Sequence, residues 1–245
     1  MSRFRALILS APGCRGERQF EHALRRVGFD AEILTVPEVL DYRIDFDQLC
    51  LKYKMLVIPG GSSYSSVLGG GKVLALKIQH LFRWNLQRFA ERGGLVLGVG
   101  TGFQALLHLN IFGEEYTLRE NETAAPLMKW LKAVPVGNRC IWLKGLGTIE
   151  LPMNLEECEF VIDPGAFVEA KGRLDRLGLA CLKSGDDDRI IGLCDQTGRV
   201  FGLTPEPEFF LNWTHADDWH LNPTRAAAPG QGFSIFENAA RYCEQ

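Results

Sequence analysis

A chain of 245 residues with 46% hydrophobic and 23% charged residues can bury a globular core, as one large α/β domain or two small ones. Its formal charge of −3, with no block of lysine and arginine, gives no electrostatic support to binding nucleic acid or an anionic membrane surface. No apolar run approaches the roughly 20 residues of a membrane helix, and seven scattered cysteines without a CxxC pair (14, 50, 140, 158, 181, 194, 243) point to reduced thiols in a cytoplasmic protein, with no disulfide and no metal site.

Taken in order, the first hundred residues alternate strand and helix patterns. The opening apolar run is interleaved with charges and stopped by Pro12-Gly13, so it reads as a buried strand over Arg5–Ser10 and not as a signal peptide. Glu17–Val27 is predicted as a helix with Phe20, Ala23, Leu24 and Val27 on one face and Gly28 at its C-terminal cap. Strands follow at Ala31–Val36 and Met55–Pro59. One long helix is predicted over Lys72–Arg92, with Leu74, Ile78, Phe82, Leu86 and Phe89 inward and Gly93-Gly94 closing it. Leu95–Val99 is the next strand. Repeated units of this kind imply a mainly parallel sheet with helices on both faces.

Beyond residue 139 the pattern changes. CIWLKG, GTIELP and CEFVI read as short strands, and residues 189–204 as a hairpin turning at Asp195-Gln196-Thr197-Gly198. Such strands commonly extend one edge of a parallel sheet. The tail from Glu206 is irregular and closes in an amphipathic helix over Ser234–Tyr242. No repeat or long linker divides the chain, so a single domain over 1–245 is expected.

Three segments carry chemistry. In GLVLGVGTGFQALL a strand, a glycine-rich bend and a helix beginning near Phe103 resemble the turn that projects a nucleophile above a sheet, usually Ser or Cys at the apex. Here the apex is Gly100, which adopts the strained geometry at almost no steric cost but has no side chain. Taken alone, this segment also reads as an ordinary strand–helix turn. The strand at Met55–Pro59 runs into PGGSSYSS, where Gly60-Gly61 can turn backbone N–H groups toward an anionic intermediate. The hairpin strand VFGLT runs into Pro205-Glu206-Pro207-Glu208.

Together with the ALILSAPG start and the closing GFSIFENAARY, these ordered segments resemble class I glutamine amidotransferases, most of all the glutaminase subunit or domain of phosphoribosylformylglycinamidine synthase, an enzyme of purine biosynthesis. The resemblance implies a flavodoxin-like three-layer α/β/α sandwich with a small antiparallel extension, no cofactor, and a large synthase subunit catalysing ATP-dependent amidation as partner. In that family the elbow typically reads G-[IV]-C-N-G-F-Q and the late motif P-H-P-E. The departures fall on the chemistry: Gly100 stands at the cysteine position, Thr101 at the asparagine, and Glu206 at the histidine base, while Glu208 matches the acid that orients that histidine. Ser65-Ser66 replaces Gly-Asp, Ser184–Asp188 occupies the place of an Asn-Pro-Asn-Gly loop, and Asn154-Leu155-Glu156-Glu157 replaces a His-Gly-Glu-Gly segment.

Amide hydrolysis through an acyl-enzyme needs a thiolate and an imidazole to activate it, and a negative Glu206 would raise the pKa of a nearby thiol. Losing such a nucleophile costs about 10⁶-fold in turnover. The expectation is therefore a non-catalytic subunit that keeps a vestigial pocket of Gly60, Gly61, Ser62, Thr101 and Gln104, able to take a small amino-acid-like ligand. Two alternatives stand beside it: an active glutaminase with a relocated nucleophile, for which Cys14 is the candidate and Cys194 is expected to be packed, and a small-molecule sensor using the pocket. His215, Asp217, Asp218 and His220 fit no defined metal spacing, Asp186–Asp188 reads as an exposed loop, and Trp213 and Trp219 are expected to pin the tail.

Overall fold

Alternating apolar residues at the start of the chain already set up two faces: in β1 (Phe4–Ser10), Leu7 and Leu9 point into one apolar cluster and Ala6 and Ile8 into another. The structure is a computed structural model and describes residues 4–64, 69–119, 128–154 and 159–245. After β1 come a two-residue strand, β2 (Cys14–Arg15), the helix α1 (Glu17–Arg26) and β3 (Phe29–Thr35). Two short helices, α2 (Val36–Asp41) and α3 (Phe46–Lys52), lead to β4 (Met55–Ile58) and β5 (Gly60–Gly61). Then α4 (Gly70–Leu76) and α5 (Leu86–Glu91) precede β6 (Leu95–Val99) and α6 (Thr101–His108).

The second half contributes β7 (Tyr116–Arg119), β8 (Met128–Pro135), β9 (Ile149–Asn154), β10 (Glu159–Ile162) and α7 (Phe167–Leu177). It ends with β11 (Ala180–Ser184), β12 (Ile190–Cys194), β13 (Val200–Leu203) and α8 (Phe233–Cys243). The main sheet has the order β3-β1-β4-β6-β13-β12-β11-β8-β9. Its first five strands are parallel and the last four join antiparallel. This is a flavodoxin-like three-layer α/β/α sandwich with an antiparallel extension.

The helices divide as the apolar faces require. Phe20 and Leu24 of α1 meet Phe236 of α8 on one side, Phe20 and Phe236 edge to face at 6.0 Å between centroids. Leu74, Leu86, Phe89 and Phe103 from α4, α5 and α6 cover the other. Burying each such side chain fully is worth about 1.5–3 kcal/mol.

Three expectations are corrected. The helix predicted over 72–92 is two helices: a wide turn at Lys77–Leu81 ends the first, Arg83 reverses the chain at φ 56°, and the Asn85 side chain caps the second by accepting from the Arg88 N–H. The break seats Trp84 in the core with its indole N–H on the Ile44 carbonyl. All five inward residues are buried, so the burial period survives a break it does not report. The predicted strand CIWLKG is one 3₁₀ turn at Ile141–Leu143, held by the Asn238 side-chain amide on the carbonyls of Trp142 and Lys144. Val36 belongs to α2, because Thr35 and Glu38 form a capping box. The chain also forms α2, α3, α7, β7, β8, β11 and the two-residue strands β2 and β5, none of which its apolar pattern predicts.

Candidate functional site

The bend at Gly98–Gly102 is held by steric demand. A Cβ on Gly102 would lie 1.9 Å from the Ile58 carbonyl oxygen, and one on Gly98 would lie 2.6 Å from Leu106 Cδ1 and 2.7 Å from the Gly102 oxygen. Only residues without side chains let α6 start this close to β4 and β6. Gly100 differs. It sits at φ 53°, ψ −114°, and a Cβ there would meet only the Gly60 Cα at 3.5 Å, an ordinary contact. The apex therefore has room for a side chain and lacks one.

The neighbouring loops converge on that apex. β2 pairs antiparallel with β5, Cys14 against Gly61 and Arg15 against Gly60, so the loop after β1 lies over the Gly-Gly turn. Thr101 Oγ1 donates to the Gly61 carbonyl. Gly60, Gly61 and Thr101 thus meet beside Gly100, and Ser62 is exposed next to them. Gln104 braces the start of α4, its Oε1 accepting from the Gly71 N–H at 3.0 Å.

The register of β6 and β13 brings in the late motif. Val99 pairs with Leu203, and the Gly100 N–H donates to the Leu203 carbonyl at 3.0 Å, so the segment after β13 emerges beside the elbow. Glu206 is buried, its N–H held by the Pro152 carbonyl at 2.8 Å. Arg15 Nη2 donates to its Oε1 at 2.6 Å, and the guanidinium stacks over the Phe209 ring at 5.4 Å. Where the resemblance places a proton acceptor, this chain has an anion locked to a cation. No sequence signal marks Arg15, because its partner lies 191 residues away.

Glu208 is fully buried beneath Gly16, at the first turn of α1, and neither carboxyl oxygen meets a hydrogen-bond donor among the described residues. Burial, and next the charge of Glu206, push its pKa well above the ordinary 4.5. The fold thus favours its protonated, neutral form.

The other candidates separate. Cys14 lies close to the Gly-Gly turn, with Sγ 3.1 Å from Ser63 Oγ, but burial raises its thiol and no hydrogen bond joins a histidine to a cysteine among the described residues. His215 faces the Asn212 amide and the Phe209 carbonyl, Asp217 accepts from the Trp130 indole, and no metal-ligand cluster forms there among the described residues. Asp186, Asp187 and Asp188 are exposed and paired with Lys129, Arg189 and Lys183. Trp213 packs against Phe210 under the tail, whereas Trp219 is 39% exposed and pins nothing deeply. Ser65-Ser66, Leu155-Glu156-Glu157 and Cys158 lie outside the described residues.

One cluster had no sequence signal. Cys140, Cys181 and Cys194 are all buried, and their sulfur atoms lie within 4.8 Å of one another. They arrive from a turn and two strands, with no common spacing to reveal them.

Residues 3–173 match the CobB/CobQ-like glutamine amidotransferase domain. Across 264 aligned positions covering 100% of both chains, the sequence is 27% identical to phosphoribosylformylglycinamidine synthase subunit PurQ of Dehalococcoides mccartyi. It is 26% identical to the PurQ subunit of Methanococcus maripaludis, covering 97% of each chain. Among solved structures, PurLQS from Thermotoga maritima superposes with a TM-score of 0.73 at 22% identity over 98% of each chain. A glutamine amidotransferase from the same organism gives 0.58 at 12% identity over 100% of each. These two likenesses concern the fold.

Proposed function

Because the chain belongs to the CobB/CobQ-like glutamine amidotransferase family, we propose that it is a homologue of the glutaminase subunit of phosphoribosylformylglycinamidine synthase that keeps the fold without hydrolysing glutamine. In this reading it is a single cytoplasmic domain that acts as a binding or structural subunit and docks on a large synthase subunit.

The observation that carries the reading is the apex. Gly100 holds elbow geometry beside the Gly-Gly turn with space for a Cβ, yet offers no atom that can form an acyl intermediate. The Arg15–Glu206 pair supports it, since an ion-paired carboxylate does not do the work of an imidazole. Relocation to Cys14 has less support: its thiol is raised by burial, and the neighbouring hydroxyl of Ser63 is no general base. No helix among the described residues is long and apolar enough to cross a membrane.

The test is ammonia release from glutamine by the purified chain and by a Gly100→Cys, Glu206→His double variant. Wild type is expected at background and the variant above it, recovering part of the roughly 10⁶-fold lost with a nucleophile and its base. Wild-type turnover abolished by Cys14→Ser would replace this reading with the relocated nucleophile. Copurification with a large synthase subunit separates a docking subunit from a sensor that takes a small amino-acid-like ligand.

A further inference from the structure

We propose that Cys140, Cys181 and Cys194 form a trigonal, all-sulfur site for a soft, three-coordinate thiophilic ion, trivalent arsenic or monovalent copper, within the antiparallel half of the sheet. The site is separate from the elbow and independent of the reading given for it.

The backbone presents the three thiols from fixed positions. Cys181 lies in β11 and Cys194 ends β12, where its N–H donates to the Leu179 carbonyl at 2.9 Å. Cys140 is brought to them by its own turn, pinned by the Ile141 N–H on the Gly198 carbonyl at 3.1 Å. With sulfur bonds of about 2.3 Å, a planar Cu(I) needs sulfurs about 4 Å apart and a pyramidal As(III) about 3.5 Å, so thiols already within 4.8 Å of one another close on either with shifts on the order of 1 Å. Thiolates select soft ions.

Coordination number follows from what is missing and charge from the surroundings. No fourth His, Cys or carboxylate joins the cluster among the described residues. The nearest acid in sequence, Asp195, is fully engaged: Oδ1 accepts from the Arg199 and Val200 N–H groups and Oδ2 from the Thr197 N–H and hydroxyl. Zinc in a closed structural site takes four protein ligands, and this set supplies three. The walls come from one apolar cluster that includes Trp142, Leu182 and Phe201, the last paired with Cys194 across β12 and β13, and the opposite charges of Arg139 and Asp195 also reach Cys194. Three thiolates on a trivalent ion sum to zero charge, the state such walls accept at least cost; on monovalent copper they carry two negative charges unless thiols stay protonated. With arsenite, each of three As–O bonds is replaced by an As–S bond, and each thiol proton leaves with a hydroxyl group as water. No atom changes oxidation state. Copper entry releases thiol protons to solvent.

The experiment uses the whole reduced chain, with arsenite, Cu(I) and Zn(II) in separate arms. Native mass spectrometry is expected to show one arsenic per chain with loss of three protons, and X-ray absorption three sulfurs around arsenic or copper. A Cys14→Ala, Cys50→Ala, Cys158→Ala, Cys243→Ala variant, which leaves only the buried trio, is expected to bind as wild type does. Cys181→Ala is expected to weaken binding at least tenfold. The proposal is overturned if the four-alanine variant loses the ion, if arsenic keeps a hydroxyl and only two sulfurs, or if none of the arms binds. It is equally overturned if zinc alone binds and is four-coordinate.

Discussion

The elbow and the segment after β13 leave adjacent strands in the middle of the sheet, Val99 beside Leu203, and both differ from the motifs that the resemblance implies. At the elbow the turn stands while its apex, Gly100, offers no reactive atom. Gly98 and Gly102 keep the close approach of α6, and Gly100 keeps the strained turn. Glu206 is a buried charge held by Arg15 on its side chain and by Pro152 on its backbone. Packing around a bend restricts which residues fit it regardless of chemistry, whereas a polar side chain in a cleft is kept only while something answers its charge.

That contrast breaks if the two kinds of glycine in the bend prove equivalent. Gly102→Ala forces a methyl group to 1.9 Å from the Ile58 oxygen, backbone that cannot turn aside. The expected loss is at least about 3 kcal/mol by denaturant unfolding, at the severe end of overpacking. Gly100→Ala meets nothing closer than 3.5 Å and bears only the positive φ, for an expected loss of about 1 kcal/mol. Equal losses would mean that the apex is packed after all, and that its lack of a side chain is steric.

The charged half sharpens through Arg15. Arg15→Ala removes a charge-assisted hydrogen bond of 2.6 Å to a buried carboxylate, with an expected cost of about 2 kcal/mol. The guanidinium is 43% exposed on its side chain, so water recovers part of any larger figure. In a double-mutant cycle with Glu206→Gln, the combined loss should fall below the sum of the single losses. Strict additivity would show that Glu206 is held by its other contacts and not by Arg15.

Much of this was legible from the sequence. β1, α1, β6, α6, the β12–β13 hairpin and α8 came out because each carries a full apolar period or a defined turn. α2 and α3, of six and seven residues, are too short to show one. The break after α4 was hidden because Leu74, Ile78, Phe82, Leu86 and Phe89 keep helical spacing across it. At the site, Gly100, Glu206 and Glu208 were visible as motif positions. Arg15, and the meeting of Cys140 with Cys181 and Cys194, were not, because only the sheet's strand order brings such distant segments together.

The second acid of the late motif gives the mildest prediction. Burial raises the pKa of Glu208 in the fold, whereas in the unfolded chain it ionises once pH exceeds about 4.5. Between that value and its raised folded pKa the folded state holds the extra proton, so the stability due to this proton is fully present below pH 4.5 and is lost as pH rises. Glu208→Gln keeps size and neutrality and removes the titration. Urea midpoints measured across pH should nearly coincide near pH 4.5 and separate above it, with the variant the more stable. Two parallel curves would mean that Glu208 is ionised in the fold, held by a donor this cleft has yet to reveal, and that its charge is answered as well as that of Glu206.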